Sequence, residues 1–363
     1  AARSVLDRDP SIRFRFVGDG IDFGRSIGAY GDTAVLEVLS AAARVGVLTD
    51  TERDMAYTFA ARAAEKYVRF WYDADMRSVN LWEKGRRTDA YRGKHRILGE
   101  NLSLSHQLIA TNHQWNHLGY RDRTPSASLD AWLETLPRVT LTWFARGEYD
   151  RALVTVRDRG RIISLPIVNG GTGQHANTPY FPIPFSQGLV AGVADESFPQ
   201  LVPQIALSDG SVLMPLAFAR GLETRRDGDT LVVRWRQSEL DRLGGRGPEK
   251  DTRLAVETTY RISPGEITRT DTFAPSLALG AVTVTLEFAS FSEDARVEAT
   301  TTRFGRGAAS AFVVTGLAGC AARTVDEERY RSPRGPMRTL VSCRAERASL
   351  DEPFTVGWTL TYR

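Results

Sequence analysis

Apolar residues recur at helical spacing through the first third of the chain and alternate with polar ones through the rest. From Ala34 to Val45 they fall at Val35, Leu36, Val38, Leu39, Ala42 and Ala43, and Gly46 stands where a helix C-cap belongs. Thr49-Asp50-Thr51-Glu52 then carries the residues of a capping box, which predicts a second helix through about Tyr72. Two helices joined by a tight Gly-containing turn make an αα-hairpin. A third helical stretch is expected over 101–117. A fourth is expected to start near Ser128, as its cap, and to stop before Pro137.

After Pro137 the period changes from helix to strand. Val139–Phe144, Ala152–Val156 and Arg161–Val168 are short β-rich runs separated by Gly and charged turns. The same texture returns at Val212–Ala219, Thr230–Trp235, Arg253–Ile262, Glu266–Phe273, Ala281–Phe288, Arg338–Cys343 and Phe354–Tyr362. Asp209-Gly210 and Asp227-Gly228 are hairpin signals. Many strands with no helix between them predict an antiparallel sandwich. The expected fold is therefore α+β: a helical domain at 1–136 and a large β-sandwich at 137–363. One long loop, NGGTGQHANTPYFPIPFSQG at 169–188, interrupts the rhythm with Gly, Pro, polar and aromatic residues, a composition that often marks a functional loop.

Composition narrows the function classes. The formal charge is only +3, with acids and bases interleaved, which argues against a nucleic-acid binder. No apolar run is long enough for a membrane-spanning helix. Lysine occurs only at Lys66, Lys84, Lys94 and Lys250, so the basic set is nearly all arginine, as a GC-rich bacterial genome would encode. Cys320 and Cys343 lie in the β-rich part, where a cross-strand bridge and two reduced core thiols are both open readings. The chain begins Ala1-Ala2-Arg3, which reads either as a mature secreted or periplasmic form or as a piece lacking an N-terminal portion.

Chemistry concentrates in two places. Of five histidines, His95, His106, His113 and His117 lie close together and His175 sits in the long loop. Imidazoles are suited to proton transfer near neutrality, so their clustering points to a site. The stretch 85–120 adds Arg86, Arg87, Asp89, Tyr91, Arg92, Lys94, Asn112 and Asn116 beside Trp82, Trp115 and Tyr120. Aromatic platforms with many donors and cations suit a cleft for an acidic sugar. The plainer alternative is a charged helix surface. His113 and His117, four apart, share a helix face, but HQWNH lacks the Glu of a zinc-protease motif, so no metal or other cofactor is assigned. Near the start, Gly24-Arg25-Ser26-Ile27-Gly28-Ala29-Tyr30 places Arg25 and Tyr30 in a Gly-rich turn.

These segments (GRSIGAY, RRTDAYRGKH, NHQWNH and NGGTGQH) on helical hairpins followed by a sandwich resemble the polysaccharide lyases of the (α/α) toroid plus β-sandwich type, such as heparinase II/III and the oligoalginate lyases. The resemblance implies β-elimination on an anionic polysaccharide containing uronic acid. In that reading Asn112 and His113 neutralise the substrate carboxylate, Tyr30 is the leading acid-base group, and His175 and Tyr180 reach in from the sandwich loop. Arg25, Arg86, Arg87, Tyr91, Trp115, His117 and Asn177 bind the sugar chain. Residues 1–136 hold about four to six helices, too few for a complete toroid, so the helical domain is expected to be a partial one. The competing readings are a glycoside hydrolase, with Asp89 and Glu100 as its carboxylates, and a non-catalytic carbohydrate-binding protein.

Overall fold

The computed structural model describes residues 37–71, 109–146, 148–158, 161–169, 180–181, 189–190, 201–215, 218–242, 249–290, 295–304, 312–325, 331–332, 335–336 and 338–362. The chain divides into two units, Ala1–Pro137 and Arg138–Arg363. The described part is α+β, with helices in the first unit and antiparallel strands in the second. Among the described residues no helix is long and apolar enough to cross a membrane.

In the first unit residues 37–44 are helical and bury Leu39, Ala42 and Ala43. The helix gives out at Gly46, whose φ of 70° is open to glycine and strained for other residues. The capping box then forms as the sequence requires: the Thr49 N–H donates to Glu52 Oε2 at 2.8 Å, and the Glu52 N–H donates to Thr49 Oγ1 at 3.3 Å. The long helix Asp50–Trp71 follows, burying Met55, Ala56, Phe59 and Ala60. A short helix, Ser128–Glu134, packs Leu129 and Leu133 into the same core, and Arg62 grips Asp130 with two bonds of 2.8 and 2.6 Å. Ala127, not Ser128, stands at the N-cap of this short helix and makes no side-chain cap bond. The Ser128 N–H donates to Ser126 Oγ at 3.0 Å, so the serine two positions earlier meets the free amide.

The second unit is a two-sheet sandwich with an added three-stranded sheet. Seven strands run in the order Glu249–Asp251, Leu240–Arg242, Val212–Met214, Gln204–Leu207, Val282–Ser290, Thr339–Arg347 and Cys320–Thr324. Eight run in the order Ala295–Glu298, Thr301–Phe304, Phe312–Thr315, Phe354–Tyr362, Glu266–Pro275, Leu254–Ser263, Thr230–Gln237 and Arg220–Asp227. Inward residues of both sheets form one core, with Val284, Leu286 and Val341 from one and Val233, Val256, Ile267 and Leu360 from the other. Along Leu254–Ser263 alternate positions are buried, the period-2 signature that the sequence carried. The Arg220–Asp227 strand escapes that signature because nearly all of its side chains are exposed at the sheet edge. Cys320 and Cys343 are register partners on neighbouring strands and form a disulfide, which decides between the two readings left open by the sequence.

The centre of the eight-stranded sheet holds an ion pair. Arg269 and Asp271, each 1% exposed, lie between Ile267 and Phe273 on the inward face. Arg269 donates from Nε to Asp271 Oδ2 at 2.7 Å and from Nη2 to Oδ1 at 2.9 Å. Its Nη1 donates to the Tyr260 hydroxyl at 3.0 Å, and Thr258 Oγ1 donates to Asp271 Oδ1 at 2.7 Å. Trp235 stacks on Tyr260 from one side and Trp358 meets it edge-on from another.

The three-stranded sheet, Val139–Arg146, Tyr149–Asp158 and Arg161–Asn169, is fastened to the edge strand by main-chain and side-chain bonds. The Asp150 N–H donates to Ala219 O at 2.9 Å, and the bulged Leu222 N–H donates to Asp150 Oδ2 at 3.1 Å. Gly221, at φ 63°, makes that bulge. Arg220 donates to the Tyr149 hydroxyl at 2.9 Å, and Arg220 and Lys250 both lie over the Tyr149 ring.

Removing one partner of the buried pair leaves the other without compensation. Asp271→Ala is expected to cost about 3–5 kcal/mol in urea unfolding. Arg242→Ala, which breaks a half-exposed pair with Glu249, should cost about 1 kcal/mol or less.

Acid should loosen the same sandwich. The Ser211 backbone N–H, and then the Arg253 guanidinium, hold the Asp209 carboxyl down from its ordinary 3.8 to about 2. A depressed carboxyl adds stability above its unfolded value and loses it as pH falls through the folded value. Unfolding midpoints are therefore expected to fall between about pH 4 and pH 2, and by less in an Arg253→Met variant.

Candidate functional site

Of the residues assigned to the site by sequence, Tyr30, Arg25, Arg86, Arg87, Tyr91, His175 and Asn177 lie outside the described residues, as do Trp82, Asp89, His95, Glu100 and His106. Tyr180 belongs to a two-residue strand, Tyr180–Phe181, whose backbone pairs with Leu189–Val190. The described part of the candidate site is the segment that carries Asn112, His113, Trp115 and His117.

This segment starts as an α-helix at 109–115, and its last turn, Asn116–Tyr120, is broken by Gly119, whose left-handed φ of 85° ends the regular winding. The break lies between two aromatic side chains that are both buried, Trp115 and Tyr120. Trp115 and Tyr120 are five residues apart, and α-helical winding would set them about 140° apart around the axis. The left-handed Gly119 between them interrupts that winding, and both rings are buried. There they meet edge-on at 5.2 Å, and both contact Tyr57 of the long helix, at 5.6 and 4.7 Å.

Hydrogen bonds complete the anchor. The Tyr120 hydroxyl donates to Asp54 Oδ1 at 2.7 Å, and the Tyr57 hydroxyl donates to Arg123 O at 2.8 Å. The Arg123 guanidinium lies 4.8 Å from the centre of the Tyr120 ring and 3.6 Å from Asp54. Burial, reinforced by the Asp54 carboxylate, pushes the Tyr120 phenol up to about 12, so it stays protonated and is no base at neutral pH.

The expected role of Trp115 needs correction. It is 3% exposed, its ring faces are taken by Tyr57 and Tyr120, and its indole N–H has no hydrogen-bond partner. It is a core residue, and no sugar can stack on it. The sequence put it beside the polar cluster because aromatic platforms and core aromatics look alike without their neighbours.

With Trp115 and Tyr120 turned inward, Asn112, His113 and His117 face solvent, and Asn116 is partly exposed. The result is an open edge of two imidazoles and neighbouring carboxamides on a rigid aromatic base. Its groups can donate hydrogen bonds to a carboxylate, and the imidazoles can also move protons. Sequence reasoning missed the supporting groups Asp54, Tyr57 and Arg123. Asp54 and Tyr57 stand one turn apart on the long helix, which marked a shared face. Their partners 66 residues on could not be read from spacing. Among the described residues, no group of three or more His, Cys, Asp or Glu side chains gathers as a metal site.

Base and edge should separate by mutation. Trp115→Ala is expected to lower stability by about 3–5 kcal/mol, and Trp115→Phe by less because no indole hydrogen bond is lost. His113→Ala and His117→Ala should stay within about 0.5 kcal/mol of the parent in thermal unfolding.

No family model matches the chain, and no curated protein matches it. Three solved structures to which it is similar are a heparan sulfate lyase mutant from Pedobacter heparinus, a 4-alpha-glucanotransferase from Thermococcus litoralis and a chondroitin AC lyase mutant of Streptomyces coelicolor A3. The first is 9% identical with a TM-score of 0.36, over 99% of this chain and 55% of that one. The second is 11% identical with a TM-score of 0.41, over 100% and 54%. The third is 11% identical with a TM-score of 0.38, over 92% and 52%. The chain thus spans about half the length of each of these structures.

Proposed function

We propose that this chain belongs to a polysaccharide lyase that cleaves a uronic-acid-containing glycan by β-elimination. One observation carries the reading: Asn112, His113 and His117 stand together on an exposed edge whose underside is packed and hydrogen-bonded. Rigid placement of donors is what stabilisation of a developing negative charge requires.

The C5 proton of a uronate is too weakly acidic to leave until the adjacent carboxylate is neutralised. The Asn112 carboxamide and the His113 imidazole would hold that carboxylate as charge spreads into it in the transition state. A base then takes the C5 proton, the C4–O4 bond breaks as the C4–C5 double bond forms, and O4 receives a proton. Tyr30 is assigned to this proton traffic, with His175 and Tyr180. Those three assignments rest on the sequence. His117 and the cations Arg25, Arg86 and Arg87, with Tyr91 and Asn177, are assigned to binding the neighbouring sugars. Phenol oxygens serve as bases near neutrality only beside cations, and the arginine density of that segment supplies them.

We place the protein in a secreted or periplasmic setting, supported by the Cys320–Cys343 disulfide, since such bonds persist where the surroundings are oxidising.

Incubation with uronic-acid polymers should produce an unsaturated product that absorbs in the ultraviolet. Asn112→Ala and His113→Ala are each expected to lower turnover about 10²–10³-fold. Tyr30→Phe should lower it about 10²–10⁴-fold. New reducing ends without ultraviolet absorption would mean hydrolysis. Binding without turnover would mean a carbohydrate-binding protein. Either result rejects the lyase reading.

A further inference from the structure

We propose that Trp143, on the outer strand of the three-stranded sheet, is a stacking platform for one sugar ring of a glycan chain. It belongs to the second unit and to different elements from the segment that carries Asn112, His113 and His117. That the glycan is a uronic-acid polymer rests on the lyase reading given above, whereas the stacking does not.

The inference starts from the way the strand Val139–Arg146 leaves the core. Val139, Leu141 and Trp143 lie on one face of the strand, because side chains alternate. Val139 is fully buried, and Leu141 is half-buried against the sandwich core. Trp143 is 49% exposed and joins no core cluster. The other tryptophans whose side chains are described are already committed. Trp115 is enclosed by Tyr57 and Tyr120, and Trp132 packs against the helical core. The Trp235 indole N–H donates to Gln237 Oε1 at 3.1 Å, and that of Trp358 donates to Leu201 O at 2.7 Å. Trp143 makes no hydrogen bond, ring contact or cation contact among the described residues.

Register leaves the indole uncovered. Its cross-strand partner is Ala152, whose single methyl group cannot span the ring. Val139–Arg146 is the outer strand of its sheet, so among the described residues no strand flanks it on the other side. The size of the exposed area then decides the kind of occupant. A stable protein interface takes about 800 Å² from each partner. A whole Trp side chain offers only about 150–250 Å². Among the described residues of the second unit, the one other exposed large hydrophobic is Leu277, just past the Glu266–Pro275 strand of the eight-stranded sheet. That leaves a single ring's worth of apolar surface at Trp143, too little for a protein partner. A pyranose ring fits it: one face of the sugar presents C–H groups that lie flat on the indole, while the hydroxyls stay at the rim in water. The indole N–H, having no partner, is free to donate to a sugar oxygen at the edge of the ring.

The test follows the indole N–H signals of the isotope-labelled full chain by NMR, the Trp143 signal being identified by its loss in Trp143→Phe. Titration with an alginate oligosaccharide is expected to shift the Trp143 signal and to leave those of the buried Trp235 and Trp358 in place. Trp143→Ala should raise Kd about tenfold to a hundredfold, as loss of a Trp anchor does. Trp143→Tyr keeps a ring and should lose less, with a melting temperature near that of the parent. Should Trp143→Ala fail to fold, the shift in the parent chain and the Tyr variant still decide. An unmoved Trp143 signal, or equal affinity in Trp143→Ala, would overturn the platform. So would failure of alginate, heparin and chondroitin oligosaccharides alike to bind. A dimer of the parent chain that Trp143→Ala dissociates would also overturn it, since a second copy would then cover the indole. A shifted Trp143 signal without any ultraviolet-absorbing product keeps the platform and rejects the lyase reading. Product formed while the Trp143 signal stays unmoved does the reverse.

Discussion

A guanidinium and a carboxylate buried in the interior of a sandwich oblige everything around them to fit. Arg269 and Asp271 lie two residues apart on one strand, so both point into the space between the sheets, where neither charge has water. Their two mutual bonds leave the guanidinium Nη1 and further acceptor capacity on the carboxylate, and Tyr260 and Thr258 of the next strand each supply a partner. Those partners arrive only if the register Thr258 with Asp271 and Tyr260 with Arg269 is kept, since a slip of one residue would turn both outward. The pair thus specifies register at least as much as it adds stability. Trp235 and Trp358, packed around Tyr260, carry the same requirement to the strands on either side.

A comparable constraint operates in the helical unit, with aromatic rings in place of charges. Trp115 and Tyr120 would stand about 140° apart on a continuing α-helix, and the helix instead breaks at left-handed Gly119 between them, with both rings buried. On the same segment Asn112, His113 and His117 face solvent.

The functional reading draws on chemistry and not on likeness. The similar solved structures include two lyases and a glucanotransferase, all at low identity and each about twice as long as this chain. What favours elimination is the kind of side chain on the exposed edge. Carboxamides and imidazoles neutralise and move protons, whereas hydrolysis would call for two opposed carboxylates. Asp54, which packs under this segment, is committed to Tyr120 by a hydrogen bond.

Much of the fold was legible in the chain itself. The capping box at Thr49–Glu52, the helical spacing before Gly46 and the alternation in Leu254–Ser263 are local signals, and each produced the element it encodes. The change of period near Pro137 likewise marked where helices give way to strands. The edge strand Arg220–Asp227 was not legible, because a strand with almost every side chain in water loses its alternation. Nor could the sequence choose between bridged and free Cys320 and Cys343, a matter of which strands become neighbours. For the candidate site, the sequence supplied the residue types at Asn112, His113 and His117, together with a wrong role for Trp115. Whether an aromatic ring meets a ligand or its own core depends on what lies across from it. Tyr57, Asp54 and Arg123 come from distant stretches of chain, so only the tertiary structure decided that the indole turns inward and the imidazoles out.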